Sequence, residues 1–384
     1  MSFEFATASR IVFGRGAVRE IVPSARRMGA RALVVTGRHP ERAGWLMTSL
    51  TAAGLDPAVF PVDGEPTIDS VRNGVELARK RACDVIISLG GGSAIDAGKG
   101  IAALLANNGD PLDYLEVVGK GRALEKPSAP FIAAPATAGT GSEVTRNAVL
   151  ASPADKVKAS LRSPFMLPEL AVVDPELTLD LPPDITAFTG LDALTQVIEP
   201  YVSARRNAMT DLFCLEGMRR VSRSLVQAYD DGASIEARED MAFASLMGGL
   251  SLANAGLGVV HGFAAPIGGM FNAPHGAVCA ALLPHGIKAN IRALTARAGD
   301  HEVLDRYQMV ARILTGDEGA SAEDGAAWVH ELCRRLGIPG LAAYGVDAAA
   351  VPVLVEKASG ASSMKANPLV LTREELTDTL ERAL

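Results

Sequence analysis

The chain has 384 residues, of which 48% are hydrophobic and 21% are charged, and this length predicts two domains with a large buried core. Its net charge of −7, without a cluster of lysine and arginine, argues against nucleic acid as a partner. The cysteines are scattered, without CxxC spacing, which predicts free thiols. The sequence also lacks a signal-peptide pattern and an apolar run of roughly 18 residues, so we expect a cytoplasmic protein without a membrane span.

The first half of the chain alternates short apolar runs with helical patterns. These patterns predict strands at residues 31–37 (RALVVTG) and 57–62 (PAVFPV) and a helix at residues 69–82. A further strand ends at Leu89 before a glycine turn and a helix, and residues 130–145 repeat the change from strand to turn. After residue 180, helical periodicity dominates. The sequence therefore predicts an α/β domain with a parallel sheet over residues 1–180 and an all-α domain over residues 181–384.

Two glycine-rich turns follow predicted strands. In SLGGGSAID (88–96), three consecutive glycines separate a strand from a helix that opens at Ser93. Such a backbone at a helix N-terminus can cradle a pyrophosphate, and it can also be no more than a tight turn. TAGTGSE (137–143) is a second turn of small and hydroxyl residues. The GxGxxG fingerprint is absent, so dinucleotide binding is predicted from the two turns together, at the strand ends where open α/β sheets bind ligands.

Further along the chain, GLDALTQVIEP (190–200) places Asp192 and Gln196 four residues apart, on one face of a predicted helix. A helix with Asp at one position and His four residues later is typical of half a metal site, but here the second residue is Gln. The pair is therefore a metal site with a substituted ligand, a site that has lost its metal, or an ordinary polar face.

Two histidines lie in the apolar segment that follows. His261 and His275 are fourteen residues apart, and each precedes a glycine. A buried histidine needs partners for both ring nitrogens, which is unusual for simple packing. Each is therefore either a structural histidine with satisfied nitrogens or a member of a functional site.

The order of these motifs closely resembles the iron-containing (group III) alcohol dehydrogenase family. The matching segments run from about residue 5 to the C-terminus and are RIVFGRGAV, GGGSAIDAGK, PATAGTGSEVT, VVDPELT, LPPDITAFTGLDALTQVIEPYVS, the two HG motifs and ANPLVLTREEL. The resemblance implies an α/β domain that binds NAD(P), an all-α domain and a divalent metal, an architecture shared with dehydroquinate synthase. It also implies a homodimer, a small-molecule substrate, and hydride transfer between an alcohol and an aldehyde or ketone in an interdomain cleft.

Carried over position by position, the resemblance assigns the site residues. The cofactor contacts fall on Gly91, Gly92, Ser93, Asp96, Thr137, Thr140, Ser142 and Lys158. The family's metal ligands, Asp, His, His and His, fall on Asp192, Gln196, His261 and His275. His261 and His275 are also the candidate catalytic residues, because either can act as an acid if no metal is bound.

The chain departs from the family pattern at the second ligand, Gln196, and at Ala265, where many members have another histidine. An amide oxygen is a poorer donor than imidazole for Fe²⁺ or Zn²⁺, but Asp192 with two histidines still forms a two-histidine, one-carboxylate set. Three alternatives stay open: a bound divalent metal, a metal-free site with histidine as the acid, and an inactive site. The retained Asp192 favours a cation, because a buried carboxylate without a counter-charge is costly.

A second departure concerns the choice between NAD and NADP. Many family members have an acidic residue after the strand at 31–37, where it binds the ribose 2′-hydroxyl, but this chain has Gly37 and Arg38. The loss of the acid removes repulsion toward a 2′-phosphate, and Arg38 can pair with that group, so NADP is expected to bind at least as well as NAD. Gly37 can also serve only as a turn.

Three other functions are compatible with these motifs. The first is that of a metal-independent reductase similar to maleylacetate reductase. The second is that of a lyase similar to dehydroquinate synthase, which uses NAD transiently and gives no net redox change. The third is that of a nucleotide-binding protein without catalytic activity. Net turnover of NAD(P)H separates the oxidoreductases from the other two.

Overall fold

The computed structural model describes residues 2–271, 273–298 and 301–384, and the chain forms two compact units. The sheet unit comprises Ala6–Thr137 and Gly141–Thr178. The helical unit comprises Leu179–Leu384, together with Ala138–Thr140 and the segment that ends at Phe5. The predicted fold class, an α/β domain followed by an all-α domain, is confirmed.

The sheet unit contains all the strands that the structure describes. They are β1 (Ile11–Phe13), β2 (Arg31–Thr36), β3 (Asp56–Pro61), β4 (Val85–Gly90), β5 (Phe131–Pro135), β6 (Asn147–Ser152), β7 (Val157–Arg162) and β8 (Leu170–Val173). Six of them form a parallel sheet in the order β1–β8–β5–β4–β2–β3, and β6 and β7 form a separate antiparallel hairpin. The strands predicted from apolar runs correspond to β2, β3, β4 and β5, so the parallel sheet is confirmed.

The central strands have their carboxyl ends level with one another. Every residue of β4 and β5 is buried, which explains their continuous apolar sequence, because helices cover both faces of the sheet. Thr36 pairs with Leu89, and Gly90 pairs with Pro135. After β2 the chain goes outward to β3 and then returns to the opposite side of β2 at β4. The strand order therefore reverses between β2 and β4, and such a switch point is where open α/β sheets bind ligands.

The helices of the sheet unit are α1 (Ile21–Met28), α2 (Gly44–Ala52), α3 (Ile68–Lys80), α4 (Gly92–Ala106) and α5 (Pro111–Tyr114). The helix predicted at 69–82 is α3, which begins at a capping box because Thr67 and Ser70 exchange side-chain and backbone hydrogen bonds. The β6–β7 hairpin was not among the predicted elements. In β6, buried residues alternate with partly exposed ones, and β7 is also only partly buried. Neither strand therefore has the continuous apolar run that identified β4 and β5.

The helical unit is built from longer helices. They are α6 (Pro183–Val202), α7 (Ala208–Asp230), α8 (Ile235–Ala255), α9 (Val259–Phe271), α10 (His275–Ala293), α11 (His301–Thr315), α12 (Ala322–Arg335), α13 (Val351–Ser359) and α14 (Arg373–Glu381). Glycines let the first three pack closely. A Cβ atom at Gly190 would lie 2.2 Å from Leu225 Cδ1, and one at Gly217 would lie 2.6 Å from Val197 Cγ1. Larger residues at these two positions would force α6 and α7 apart.

Short helical segments complete the chain. They are the 3₁₀ segments Ala17–Glu20, Pro40–Ala43, Ser142–Val144, Pro164–Met166, Pro175–Thr178, Leu341–Tyr344 and Ser363–Ala366, and the π-helical turn Leu294–Ala298.

Within the described ranges, no single helix has both the length and the apolarity to cross a membrane. Among the described residues, one pair of helices, α8 and α9, meets the criterion of length and composition when taken together, with a bend of 98° between them. Most residues of both helices are buried, as in the core helices of many globular proteins.

Candidate active site

The first glycine turn lies at the switch point of the sheet. Gly91 is the N-cap of α4, with extended backbone and no side-chain cap. A Cβ atom at Gly90 would lie 2.8 Å from Ala94 Cβ and 3.2 Å from the amide nitrogen of Gly37, and one at Gly91 would lie 3.3 Å from Thr137 Cγ2. The turns after β2, β4 and β5 therefore meet. The uncapped N–H groups at Gly92 and Ser93 suit a phosphate group.

Asp96 and Ser142 lie deeper in the sheet unit than the turn itself. Asp96 Oδ2 accepts a hydrogen bond of 3.0 Å from the backbone N–H of Val149, and Ser142 hydrogen-bonds the same side chain. Burial raises the pKa of Asp96, and the Lys99 ammonium, 3.5 Å from Asp96 Oδ1, opposes that shift. Both residues thus connect the second turn and the hairpin to α4. Thr140 is half-buried in the turn that joins Thr137 to Ser142.

Lys158 and Arg38, the two cationic candidates, are already paired with acids. Lys158 Nζ lies 3.0 Å from Glu65 Oε1, and the lysine side chain is buried. Arg38 Nε lies 3.1 Å from Asp63 Oδ1, and both of these side chains are exposed. An exposed ion pair is weak, so the pairing leaves Arg38 available to a stronger anionic partner.

Glu143, next to Ser142, is a buried acid that sequence analysis did not select. Burial raises its pKa to about 7, although its own backbone N–H and Lys99 act in the opposite direction. Lys99 Nζ donates 2.8 Å and 2.5 Å hydrogen bonds to Thr145 Oγ1 and the Asn147 carbonyl, and burial lowers its pKa. The second turn therefore contains a buried carboxyl group, that of Glu143, which changes charge near neutral pH.

We expect Glu143→Gln to remove part of the pH dependence of stability. Between pH 4.5, the ordinary pKa of a glutamate, and about pH 7, the folded protein keeps a proton at Glu143 that the unfolded chain has released. The stabilisation from this bound proton is therefore complete below pH 4.5 and is lost as pH rises through about 7. The full shift corresponds to about 3 kcal/mol in the free energy of unfolding.

Urea unfolding of the wild type and Glu143→Gln across this range measures the difference. The variant should gain stability relative to the wild type as pH rises, whereas Glu318→Gln, at an exposed position, should follow the wild type. Parallel pH curves for the wild type and Glu143→Gln would contradict the assignment of the titration to Glu143.

The structure brings together three of the four predicted metal-binding positions. Asp192 is on α6, His261 is on α9, and His275 begins α10. Asp192 Oδ1 lies 3.4 Å from His261 Nε2 and 3.6 Å from His275 Nε2. A fourth donor, Cys279, completes a cluster whose ligand atoms all lie within 4.8 Å of one another. Asp192 and Cys279 are fully buried, His261 nearly so, and His275 is partly exposed.

Opposite charges shift the pKa values in this cluster. Burial alone would raise the pKa of Asp192, but the two imidazoles outweigh it, so the net shift is downward. Burial alone would lower the pKa of both histidines, but the Cys279 sulfur and the Asp192 carboxylate outweigh it. The pKa of His275 is raised to about 9, and that of His261 is raised well above its ordinary value.

Glu199 fixes the orientation of His261. Glu199 Oε2 lies 2.7 Å from His261 Nδ1, and Glu199 Oε1 accepts a 2.7 Å hydrogen bond from the backbone N–H of Val260. A carboxylate at Nδ1 holds a proton there, so Nε2 is the nitrogen that points toward Asp192 and Cys279 and the one that can bind a metal when its own proton is released. Sequence analysis missed Glu199, although it lies seven residues after Asp192, two helical turns along the same face of α6.

The start of α9 is held by side chains from distant parts of the chain. Besides Glu199, Asn367 Oδ1 accepts a 3.1 Å hydrogen bond from the N–H of Val259. Asn367 also exchanges side-chain hydrogen bonds with Asn290, which in turn donates to the hydroxyl of Tyr307. His261 is therefore the third residue of a helix whose first N–H groups are capped by Glu199 and Asn367.

Gln196, the fourth predicted ligand, lies beside the cluster. Its side chain is buried and hydrogen-bonds Asp192, and its Oε1 has no hydrogen-bond partner. Asp192 Oδ1 is also a buried oxygen without a hydrogen bond. Two buried oxygens without donors, next to two imidazoles and a thiol, form the kind of donor set that a divalent cation satisfies. The residues of this site therefore fit a bound metal.

The glycine turn at the switch point of a parallel sheet and the buried carboxylate–histidine cluster in the helical unit fit a dehydrogenase that uses a dinucleotide and a divalent cation. The profile of the family described as iron-containing alcohol dehydrogenase matches residues 8–175, and that of the C-terminal region of the same family matches residues 186–384. The chain belongs to the iron-containing alcohol dehydrogenase family, and the predicted family and the NAD(P)-dependent oxidoreductase class are confirmed.

Relatives of known activity match the chain over nearly its full length. The NAD-dependent methanol dehydrogenase of Bacillus methanolicus is 34% identical over an alignment of 384 positions that covers 97% of each chain. The 1,3-propanediol dehydrogenase of Citrobacter freundii is 35% identical over an alignment of 394 positions that covers 99% of this chain and 98% of the relative. The solved structure of an alcohol dehydrogenase from Oenococcus oeni superposes with a TM-score of 0.91 at 32% identity, with both chains fully covered.

Proposed function

We propose that this protein interconverts a small alcohol and the corresponding aldehyde or ketone by hydride transfer to or from NAD(P). The observation that carries the proposal is the cluster of Asp192, His261 and His275, whose donors fit a divalent cation. The names of the relatives, a methanol dehydrogenase and a 1,3-propanediol dehydrogenase, support short primary alcohols as the first substrates to test.

We assign the cofactor to the sheet unit, with residues 1–180 as the NAD(P)-binding domain. The proposed contacts are Gly37, Arg38, Gly91, Gly92, Ser93, Asp96, Thr137, Thr140, Ser142 and Lys158. In this assignment, the backbone N–H groups at the start of α4 bind the pyrophosphate, and Asp96 holds the hairpin against α4. The bound nicotinamide supplies or accepts the hydride.

Residues 181–384 are the proposed metal and substrate domain. Asp192, His261 and His275 are assigned as ligands, and Gln196 stands at the family's remaining ligand position, beside them. Glu199 keeps the proton of His261 on Nδ1, so Nε2 can act as a donor. Asp192, His261 and His275 would hold a divalent cation, Fe²⁺ or Zn²⁺, which when bound would supply polarisation of the substrate oxygen and stabilisation of negative charge on it.

We also propose that the protein acts in the cytoplasm as a homodimer, without nucleic acid or membrane partners. The net charge of −7 and the four free, buried cysteines support this setting.

The test is a spectrophotometric assay of NAD(P)H formation with a series of short primary alcohols and of NAD(P)H oxidation with their aldehydes. Stoichiometric formation of the aldehyde and NAD(P)H is the expected result. Turnover of a substrate without a net change in NAD(P)H would contradict the proposal and indicate a lyase. Activity confined to acidic enones would indicate a reductase of the maleylacetate type.

Cofactor preference gives a separate prediction. We expect Arg38→Ala to weaken NADPH binding at least about fivefold more than NADH binding, because a charge-assisted contact contributes about 1 kcal/mol or more. Asp63→Asn should act in the opposite direction, since it releases Arg38 from its ion pair. Calorimetric titration with both cofactors measures the effects, and Arg42→Ala, at an exposed position nearby, is the control. Equal losses for NADH and NADPH would exclude Arg38 as the partner of the 2′-phosphate.

A further inference from the structure

Cys279 lies among the proposed metal ligands, although the family pattern has no cysteine there. It lies four residues after His275 on α10, and its side chain is fully buried. Its Sγ is 3.7 Å from His275 Nε2 and 3.8 Å from His261 Nε2. We propose that Cys279 binds the metal as a thiolate, in place of the imidazole that is missing at Gln196. The inference rests on the metal site of the proposed function and identifies its fourth ligand.

Four of the six distances between donor atoms in the cluster match a tetrahedral site. Typical bond lengths to zinc are about 2.05 Å for nitrogen, about 2.3 Å for sulfur and about 2.0 Å for oxygen. At the tetrahedral angle, these bonds place nitrogen and sulfur ligands about 3.6 Å apart, and nitrogen and oxygen ligands about 3.3 Å apart. The N···S distances here are 3.7 and 3.8 Å, and the N···O distances are 3.4 and 3.6 Å. Each distance is within about 0.3 Å of the tetrahedral value. The distances of the Cys279 sulfur from both imidazole nitrogens are thus those expected of a fourth ligand.

A thiolate at Cys279 also changes the charge of the ligand set. With Asp192 as the one anionic ligand and neutral imidazoles, a divalent cation leaves a charge of about +1 on the metal and its ligands, beside the Glu199 carboxylate at His261 Nδ1. A thiolate brings the donor charge to −2 and neutralises the cation, and the thiol proton leaves to solvent when the metal binds. The amide of Gln196 is neutral and already hydrogen-bonds Asp192, so it cannot supply this charge.

A thiolate ligand changes the metal preference. Soft sulfur donors favour Zn²⁺ over Fe²⁺ relative to a site of imidazole and carboxylate alone. Protein that is stripped of metal and offered equal concentrations of the two ions under anaerobic conditions should therefore show a higher ratio of bound zinc to bound iron in the wild type than in Cys279→Ser. Cys279→Ser should lose more zinc affinity than the roughly 10–100-fold that is typical when an outer-shell partner is removed.

Cobalt substitution tests the ligand directly. A thiolate bound to Co²⁺ gives a sulfur-to-metal charge-transfer band in the near ultraviolet, so stripped wild-type protein titrated with Co²⁺ should develop this band. Cys279→Ser should lose the band, and Gln196→Ala should keep it. Cys333→Ser is the matched control, because Cys333 is also buried and packs on the same helix, where its thiol donates to the carbonyl of Ala280. Loss of metal affinity in Gln196→Ala, with the band intact in Cys279→Ser, would overturn the proposal.

A measurement on the unaltered protein covers the case in which a variant does not fold. X-ray absorption at the zinc edge of zinc-loaded wild type should contain one sulfur neighbour at about 2.3 Å. A shell of nitrogen and oxygen alone would overturn the proposal. Neither experiment measures turnover, so the two proposals can fail separately: sulfur at the metal without alcohol oxidation refutes the function, and metal-dependent oxidation without sulfur refutes the ligand.

Discussion

Exhaustive chelation is expected to lower kcat/KM for alcohol oxidation by roughly 10³-fold, and one divalent metal should restore it. A cation at the Asp192 cluster contributes several kcal/mol to the stabilisation of negative charge on the substrate oxygen, and about 4 kcal/mol corresponds to a factor of 10³. The measurement is turnover of an alcohol before chelation, after it, and after the addition of Zn²⁺ or Fe²⁺. Restored activity should parallel the metal content of the protein.

Binding of NAD(P)H to the chelated protein is the control, because all the proposed cofactor contacts except Thr140 lie in the sheet unit and the metal donors lie in the helical unit. Cofactor affinity should therefore change little on chelation. If the chelated protein kept full turnover, the metal-free alternative would be correct and one of the raised-pKa histidines, His261 or His275, would be the acid.

Gly91→Val is expected to weaken NAD(P)H binding on the order of 100-fold, which is about 2.7 kcal/mol. The branched side chain would stand at the N-cap of α4, where the backbone N–H groups are proposed to meet the pyrophosphate. The fold should survive, because the backbone of Gly91 is extended and any residue can adopt it. Calorimetric titration with NADH and NADPH measures the loss, and circular dichroism checks the fold.

Two control variants separate blocked binding from local strain. Gly44→Val places the same side chain at a glycine with nothing within 4 Å, so it should leave binding unchanged. Thr137→Ser in the Gly91→Val background removes the methyl group that a Cβ atom at Gly91 would approach to 3.3 Å. If Thr137→Ser restored binding, the loss would come from displacement of Thr137, and unchanged affinity in Gly91→Val itself would mean that the turn is only structural.

The parallel sheet was predictable because its central strands are buried on both faces. Continuous apolar runs identified β2, β4 and β5, and the glycines after β4 marked the turn to α4. The β6–β7 hairpin lacks such a run. Its strands are only partly buried, and its contacts include the hydrogen bond between Val149 and Asp96 across 53 residues. A pattern within a short window cannot contain a contact of that length.

The metal cluster could be predicted only in part, for a similar reason. The family pattern selected Asp192, Gln196, His261 and His275, and their roles stay predictions. It contains no cysteine, and Cys279 became a candidate only when the fold placed its sulfur beside two imidazole nitrogens. The spacing of four between His275 and Cys279 was visible in the sequence, but such a spacing on a helix is common and becomes informative only when Asp192 and His261 approach the same point.

The capped start of α9 has a consequence for the biosynthesis of the enzyme. His261 takes its position from Glu199 and Asn367, so the capping of the helix that presents it is complete only when the chain has been made well past its own metal ligands. A nascent chain on the ribosome that has reached His275 and Cys279 has all the donors but not yet Asn367. The metal is therefore expected to be held best by the finished polypeptide, in which Asn367 caps the start of α9.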